Sequence, residues 1–315
     1  MRVIAPPYSS KLSKMRVFNQ EIKRNYQLYL LILPVIGYFI IFHYGPMYGV
    51  QIAFRNYSVR RGIWGSNWIG FDHFRAFFSS YYFGTVLSNT LLISLYSLMA
   101  GFPAPIFLAL FLNEVTYKPF KKTVQTVTYA PHFISTVVMT SMIILFLSPQ
   151  AGFVNRFIEM LGGKPIYFLG IESMFKSVYV LSGVWQSTGW GSIIYMAALA
   201  GIDPQLHEAA VMDGAGRLRR IWHINIPGVL PTAVILLIMN CGQLMNVGFE
   251  KIYLLQNDLN RSASEVISTL VYQQGLIKMN YSYSTAVGLF NSVINCMLLL
   301  TVNQIARRVG ETSLW

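Results

Sequence analysis

Three groups of polar side chains stand inside long apolar runs of this sequence, at spacings that could do chemistry. Asn240, Gln243 and Asn246 recur every three residues in one run, which on a helix places them on one face. Asn291 and Asn295, four apart in the last run, share a face in the same way. Trp185, Gln186 and Trp190 cluster with Ser187 and Thr188 around Gly189 and Gly191. Amides offer paired donors and acceptors, and indoles offer flat faces. The chemistry available is therefore non-covalent recognition; a hydroxyl-rich solute such as a sugar suits these groups, as do many other solutes. A single amide in a membrane span usually bonds helix to helix. Three on one face favour a polar pathway, whereas the Trp–Gln group suits close packing as well as it suits solute contact.

Bond-making chemistry has no support. The apolar runs hold no paired acids, Ser/His constellation or HExxH, so no catalytic residue is assigned and no intramembrane enzyme is expected. No GxxxxGK[ST] occurs, so ATP is not bound by that motif. The histidines form no HxxxH or His/Cys cluster, and Cys241 and Cys296 lie within apolar runs, so neither a metal site nor a disulfide framework is expected.

The elements that must position these groups follow from composition. The chain has 315 residues, 54% of them hydrophobic and 11% charged, with a mean hydropathy of +0.47; soluble domains average about 25% charged residues. Six stretches reach the roughly 20 residues a helix needs to cross hydrocarbon: 26–44, 85–112, 124–148, 177–202, 229–249 and 283–306. None contains Asp, Glu, Lys or Arg. The runs are continuous rather than alternating, and an open sheet would leave backbone groups unsatisfied in lipid, so helices are expected.

The first stretch should leave the membrane through His43-Tyr44-Gly45-Pro46. The aromatics of 67–78 suit an interfacial belt. Pro103 and Pro105 must interrupt the hydrogen-bond ladder of the second stretch. Segment 250–282 predicts a short external helix with Ser262 as cap and Val266, Leu270 and Leu276 among its apolar positions.

A net charge of +12 would suggest nucleic acid in a soluble protein. Here Lys11, Lys14, Arg16, Lys23 and Arg24 precede the first stretch with only Glu21 against them. That is a membrane-anchoring basic tail, over 1–25, and the positive-inside rule, strongest in this first segment, favours a cytoplasmic side for it. The bias over the whole chain is modest, and a cytoplasmic place for both termini rests partly on the resemblance given below. No nucleic-acid partner is expected, and no cleaved signal peptide either, because the apolar run is span-length and no A-x-A site follows.

Between the fourth and fifth stretches lies a polar, helix-prone elbow, 203–231. Asp203 before Pro204 reads as an N-cap with proline at the first helical position. Gly214 is a natural stop. A second short helix is expected over 216–225, carrying Arg217, Arg219 and Arg220, and Pro227 closes it or starts the next.

Glu208-Ala209-Ala210, three residues, Gly214, nine residues and Ile224-Asn225-Ile226-Pro227, with Asp213 before the glycine, together resemble the EAA loop of ABC importer permeases. The family usually has Leu where this chain has Ile226. The resemblance extends over most of 25–310, including W-x-G at 68–70, 108–162 with its G-x-V-N, and 44–49. The last of these, with the region after Ser264, most resembles permeases for complex or uronate-containing oligosaccharides.

The resemblance implies an all-α polytopic protein with the six-helix type I permease fold over 26–315. It also implies a related second permease subunit, two ATP-binding subunits docking on the elbow, and an extracytoplasmic solute-binding protein. ATP and Mg would be bound by the ATPase subunits, with no cofactor in this chain, in a bacterial cell (inner) membrane. Glu208 would anchor the elbow through polar contacts, Ala209 and Ala210 would permit close approach, and Gly214 would permit the turn. An ion-coupled carrier or channel is the competing class. Such carriers place Asp, Glu or His in their spans, and here only His43 and His132 stand near span ends.

Overall fold

The computed structural model describes residues 24–309. All but the end of the basic tail at 1–25, and the C-terminal residues from 310, lie outside them. The described residues are mainly helical, with one small antiparallel pair among them, Arg55–Ser58 with Ser66–Trp68.

Among the described residues four helices are long and apolar enough to cross a membrane: Tyr26–Phe54, Tyr82–Glu114, Arg217–Cys241 and Tyr281–Arg308. Lys118–Phe133 and Thr136–Phe146 make a fifth if the bent pair counts as one span. Glu172–Ala200 has the length, 29 residues, but is not among the four. Trp185, Gln186, Ser187 and Thr188 dilute its apolar character midway. It is nonetheless the hub, packing against Tyr82–Gly101, Pro103–Glu114, Lys118–Tyr129 and Ile226–Cys241.

Several expected boundaries are corrected. The first helix does not end at Gly45-Pro46 but runs on to Phe54. A proline lacks the N–H that its turn requires, and a wide turn over Ile40–Tyr44, in which Gly45 N–H reaches back to the Ile40 carbonyl, accommodates Pro46. The same device recurs before Pro227: Ile226 N–H bonds the Ile221 carbonyl, so the elbow's second helix continues into the membrane and Pro227 starts rather than stops it. Pro103 and Pro105 do interrupt the ladder as expected, dividing Tyr82–Gly101 from Pro103–Glu114 at Phe102. They fall in the first turn of the second helix, where missing donors cost least, and Tyr82–Glu114 still runs as one span.

The third stretch, expected to be one span, bends by 102°. Pro131 sits in the 3₁₀ turn at the bend, and Ser135 restarts the chain as an N-cap, its hydroxyl accepting from Val138 N–H at 3.4 Å. The fifth stretch ends early, at Cys241.

Segment 250–282 is not one external helix. It folds back as Phe249–Leu255, Arg261–Ser264 and Ile267–Tyr272. Ser262 lies inside the second of these, which Asn260 precedes. Ile252, Leu255, Val266, Ile267 and Leu270 are buried, while Leu276 is exposed. Long-range bonds hold this insert: Asn89 Nδ2 donates to the Ser262 and Glu265 carbonyls at 2.7 and 3.1 Å, and Ile267 N–H donates to Thr90 Oγ1 at 3.0 Å.

Two buried clusters meet there, one around Phe175, Tyr179 and Ile252, the other around Phe77, Met245 and Val287. Phe77 shows that the 67–78 aromatics are partly core, since its ring meets Phe83 and Phe290 edge-on at 5.1 and 5.5 Å. Trp68 and Phe71 stay exposed. In the G-x-V-N motif, buried Asn155 closes the outer loop by donating to the Leu147, Ser148 and Ile166 carbonyls and accepting from Ile166 N–H.

Gly189 is where the hub touches the bent span most closely: a Cβ there would run into the Thr128 carbonyl, whereas one at Gly37 would meet nothing within 4 Å. Gly189→Ala is therefore expected to destabilise by about 2 kcal/mol through overpacking, and Gly37→Ala to be neutral. Thermal unfolding of the purified protein in detergent, compared between the two variants, checks this.

Candidate translocation cavity and coupling elbow

The helix that begins in the elbow ends at Cys241 because the next residues tighten into successive three-residue turns. Gln243 N–H bonds the Asn240 carbonyl at 3.1 Å, and Asn246 N–H bonds the Gln243 carbonyl at 2.8 Å. Gly242 makes the break possible by lying close to the last helix; a Cβ there would stand 2.7 Å from Leu299. The expectation that an α-helix aligns Asn240, Gln243 and Asn246 is thus wrong in mechanism. The three do come together, because i→i+3 turns eclipse residues three apart.

They line one wall of a cavity of about 340 Å³. Ser94 and Ser97 line it from Tyr82–Gly101, and Tyr179 and Ser187 from the hub helix; Leu98, Phe102 and Val247 complete it. Its polar groups are amides and hydroxyls, with no charged side chain in the lining.

These polar residues have different employments. Asn246 Oδ1 accepts from Asn291 Nδ2 at 3.0 Å and from Asn295 Nδ2 at 3.1 Å. Asn295 Oδ1 in turn accepts Met245 N–H at 2.9 Å, and the residue is buried. This amide cluster clamps the unwound segment to the last helix. The Asn240 and Gln243 side chains are exposed in the cavity and make no hydrogen bond among the described residues. Ser94 Oγ is also unpaired.

The Trp–Gln group is elsewhere. Gln186 Nε2 donates to the Ile134 carbonyl at 2.9 Å, beside the bend of the third span. Trp190 stacks on His132 at 4.6 Å, and Trp185 is exposed outside the cavity. Gln186 and Trp190 brace the bend, and Ser187, their neighbour, is the cavity residue.

At the other end of the broken helix stands the elbow. Asp203 Oδ1 accepts Gln205 N–H at 2.9 Å and caps Pro204–Met212. Gly214 has φ +75°, and Ala215 N–H returns to the Ala210 carbonyl at 2.8 Å, a Schellman closure. Ala209 is exposed and Ala210 half-buried; Asp213 and Pro227 are exposed, and Ile224 is half-buried just before fully buried Asn225.

Glu208 does not anchor the elbow within this chain. It is exposed and makes no hydrogen bond or ion pair among the described residues. That work falls to Glu114, at the end of the second span, which accepts from Asn225 Nδ2 at 3.3 Å and faces Arg220 at 3.9 Å. Local spacing gave no sign of this, because the partners lie 111 residues apart. Leu206, Met212, Leu218 and Trp222 are all exposed on the elbow. The continuous helix Arg217–Cys241, 25 residues, carries the elbow about 37 Å to the cavity.

A polytopic helical bundle with a helix broken at a polar cavity and continuous with a glycine-turned elbow is the architecture of an importer permease. The chain belongs to the family described as binding-protein-dependent transport system inner membrane component, which it matches over residues 101–311. It is the permease subunit of a binding-protein-dependent ABC importer. It is 45% identical to Protein LplB of Bacillus subtilis (strain 168) over 93% of this chain and 92% of that one. It is 44% identical to the polygalacturonan/rhamnogalacturonan transport system permease protein YteP of the same organism, over 97% and 95%. A solved bacterial alginate ABC transporter, in complex with an alginate pentasaccharide-bound periplasmic protein, contains a chain 41% identical to this one. That chain superposes with a TM-score of 0.87 over 94% of this chain and 99% of its own length.

Asn246→Leu removes the shared acceptor of the amide cluster and should lower stability by about 1 kcal/mol, whereas Gln243→Ala should leave it unchanged. Melting of the two purified variants distinguishes clamp from cavity residue.

Proposed function

We propose that this chain moves a sugar or oligosaccharide into the cytoplasm through the cavity at the broken helix, driven by separate ATPase subunits on the elbow. The observation that carries the proposal is the single helix Arg217–Cys241, which joins the exposed elbow to the wall bearing Asn240 and Gln243. Movement imposed at one end must reach the other as a rigid displacement, which is how packed helices convert closure into reorientation. Unpaired amides and hydroxyls beside Tyr179 suit a hydroxyl-rich solute. The relatives named for polygalacturonan/rhamnogalacturonan and alginate support a saccharide.

Residues 26–315 act as one six-span permease domain, with the hub helix and the bent pair each counted as a span and both termini in the cytoplasm. The exposed apolar side chains of the elbow, with Glu208 unpaired beside them, suit a protein groove. Two ATP-binding subunits supply ATP and Mg, and this chain has no ATPase site of its own. A related second permease completes the pathway, which the exposed apolar length of Tyr26–Phe54 supports, and a solute-binding protein delivers from outside.

In the reconstituted complex, Gly214→Asp should reduce solute-stimulated ATP hydrolysis by tenfold or more. An L-residue at φ +75° costs about 1–2 kcal/mol in the turn itself and misdirects the elbow. Glu208→Ala should weaken ATPase-subunit copurification while leaving the permease's own melting unchanged. Wild-type solute flux with no ATPase subunit present would overturn the proposal in favour of an ion-coupled carrier.

A further inference from the structure

The transport reading leaves one buried cation unused. Lys251 follows directly on the unwound segment whose Asn246, Val247 and Gly248 line the cavity, and it is only 9% exposed. Its ammonium donates to the Tyr179 carbonyl at 2.8 Å and lies 4.6 Å from the centroid of the Tyr179 ring. Tyr179 is also one of the residues that line the cavity. Room for the ammonium comes from Gly183, one turn along the hub helix, where a Cβ would stand 3.2 Å from Nζ. Among the described residues no carboxylate pairs with it; the ion pairs are Arg75–Asp72, Arg220–Glu114 and Arg261–Glu265.

An ammonium removed from water without a counter-charge is costly, and a carbonyl and an aromatic face offset only part of that cost. Were Lys251 needed merely to bond the Tyr179 carbonyl, a neutral donor would do the same without the charge. Burial pushes the ammonium down to about 8, so it remains mostly protonated at neutral pH. A positive charge 4.6 Å from the ring of a cavity-lining residue, beside an otherwise uncharged wall, acts through a medium of low dielectric, where its attraction for an anion reaches well beyond contact distance.

We propose that Lys251 sets the charge selectivity of the cavity, favouring carboxylate-bearing saccharides over neutral ones. The inference rests on the saccharide-import reading above and deepens it. Lys251 is buried and not itself a lining residue, so the carboxylate is attracted without being trapped in an ion pair, and a translocated group can leave the site.

The test uses the complete transporter in proteoliposomes, with labelled tetrasaccharides of galacturonate and of mannuronate, each as free acid and as methyl ester. Lys251→Met should lower import of the acids about tenfold, equivalent to about 1.4 kcal/mol. Import of the esters should stay within about twofold of wild type, by the same conversion of rate ratio to free energy. Lys251→Arg, which keeps the charge, should retain the acid preference; it guards against misfolding of the Met variant, as does size-exclusion of each assembled complex. Equal losses for acid and ester in Lys251→Met, unchanged import of both, or wild-type import of esters as fast as acids would each overturn the role of Lys251. Wild-type import of none of the probes would instead remove the saccharide reading, and this inference with it.

Discussion

A helix that stops inside a membrane exposes backbone groups that lipid cannot satisfy, and the organisation of this permease follows from how that problem is solved after Cys241. The chain turns through Gly242 to Asn246 with each of these amides bonded locally or to the last helix, above all Met245 N–H on Asn295. Once Asn295 holds the backbone, Asn246 is pinned between Asn291 and Asn295, and the segment has a fixed shape. A fixed break can hold a cavity open in a bundle that would otherwise close on itself by side-chain packing. Without that clamp the wall bearing Asn240 and Gln243 would have no defined position.

Prolines tell the complementary story. Pro46 and Pro227 lie where a helix must continue, and each is preceded by a wide turn that redirects one hydrogen bond rather than losing it. Continuity at Pro227 matters most, because the elbow and the cavity communicate only if the connecting helix is stiff. The tie from Glu114 to Asn225 and Arg220 adds a second fixed point, on the end of the second span. The elbow is thereby attached to two helices that both line the cavity, and neither can shift alone.

What was legible in the sequence was local. Asp203, Pro204 and Gly214 announce a capped helix and its stop within a dozen residues, and the apolar runs announce helices because lipid permits little else. The break at Gly242 was not legible, since the apolar run continues through Met245 and Val247 and nothing nearby forbids a helix. The bend at 134–135 had a signal in Pro131 and Ser135, but the unbroken hydrophobicity of 124–148 outweighed it. Glu114 and Lys251 escaped for a different reason: their roles depend on partners far along the chain, Asn225 and Tyr179, that only the fold brings near. That segment 250–282 packs back on the second span was not legible either, because the bonds that hold it come from Asn89 and Thr90, far earlier in the chain.

Polarity within a span does not by itself distinguish a solute contact from a structural bond; spare bonding capacity does. Gln186 spends its donor on the Ile134 carbonyl, and Asn295 spends both ends of its amide on the chain. Withdrawing either for a solute would leave a backbone group unsatisfied at a cost of about 1–3 kcal/mol. Asn240, Gln243 and Ser94 have no such obligation and face the same space. Under the proposed pathway, these three are the groups whose hydrogen bonds a solute would use without disturbing the clamp that keeps the cavity in place. The two duties are separated in this way: Asn246, held by Asn291 and Asn295, fixes the segment after the break, and Asn240 and Gln243, on either side of Gly242, keep their amides free of bonds among the described residues.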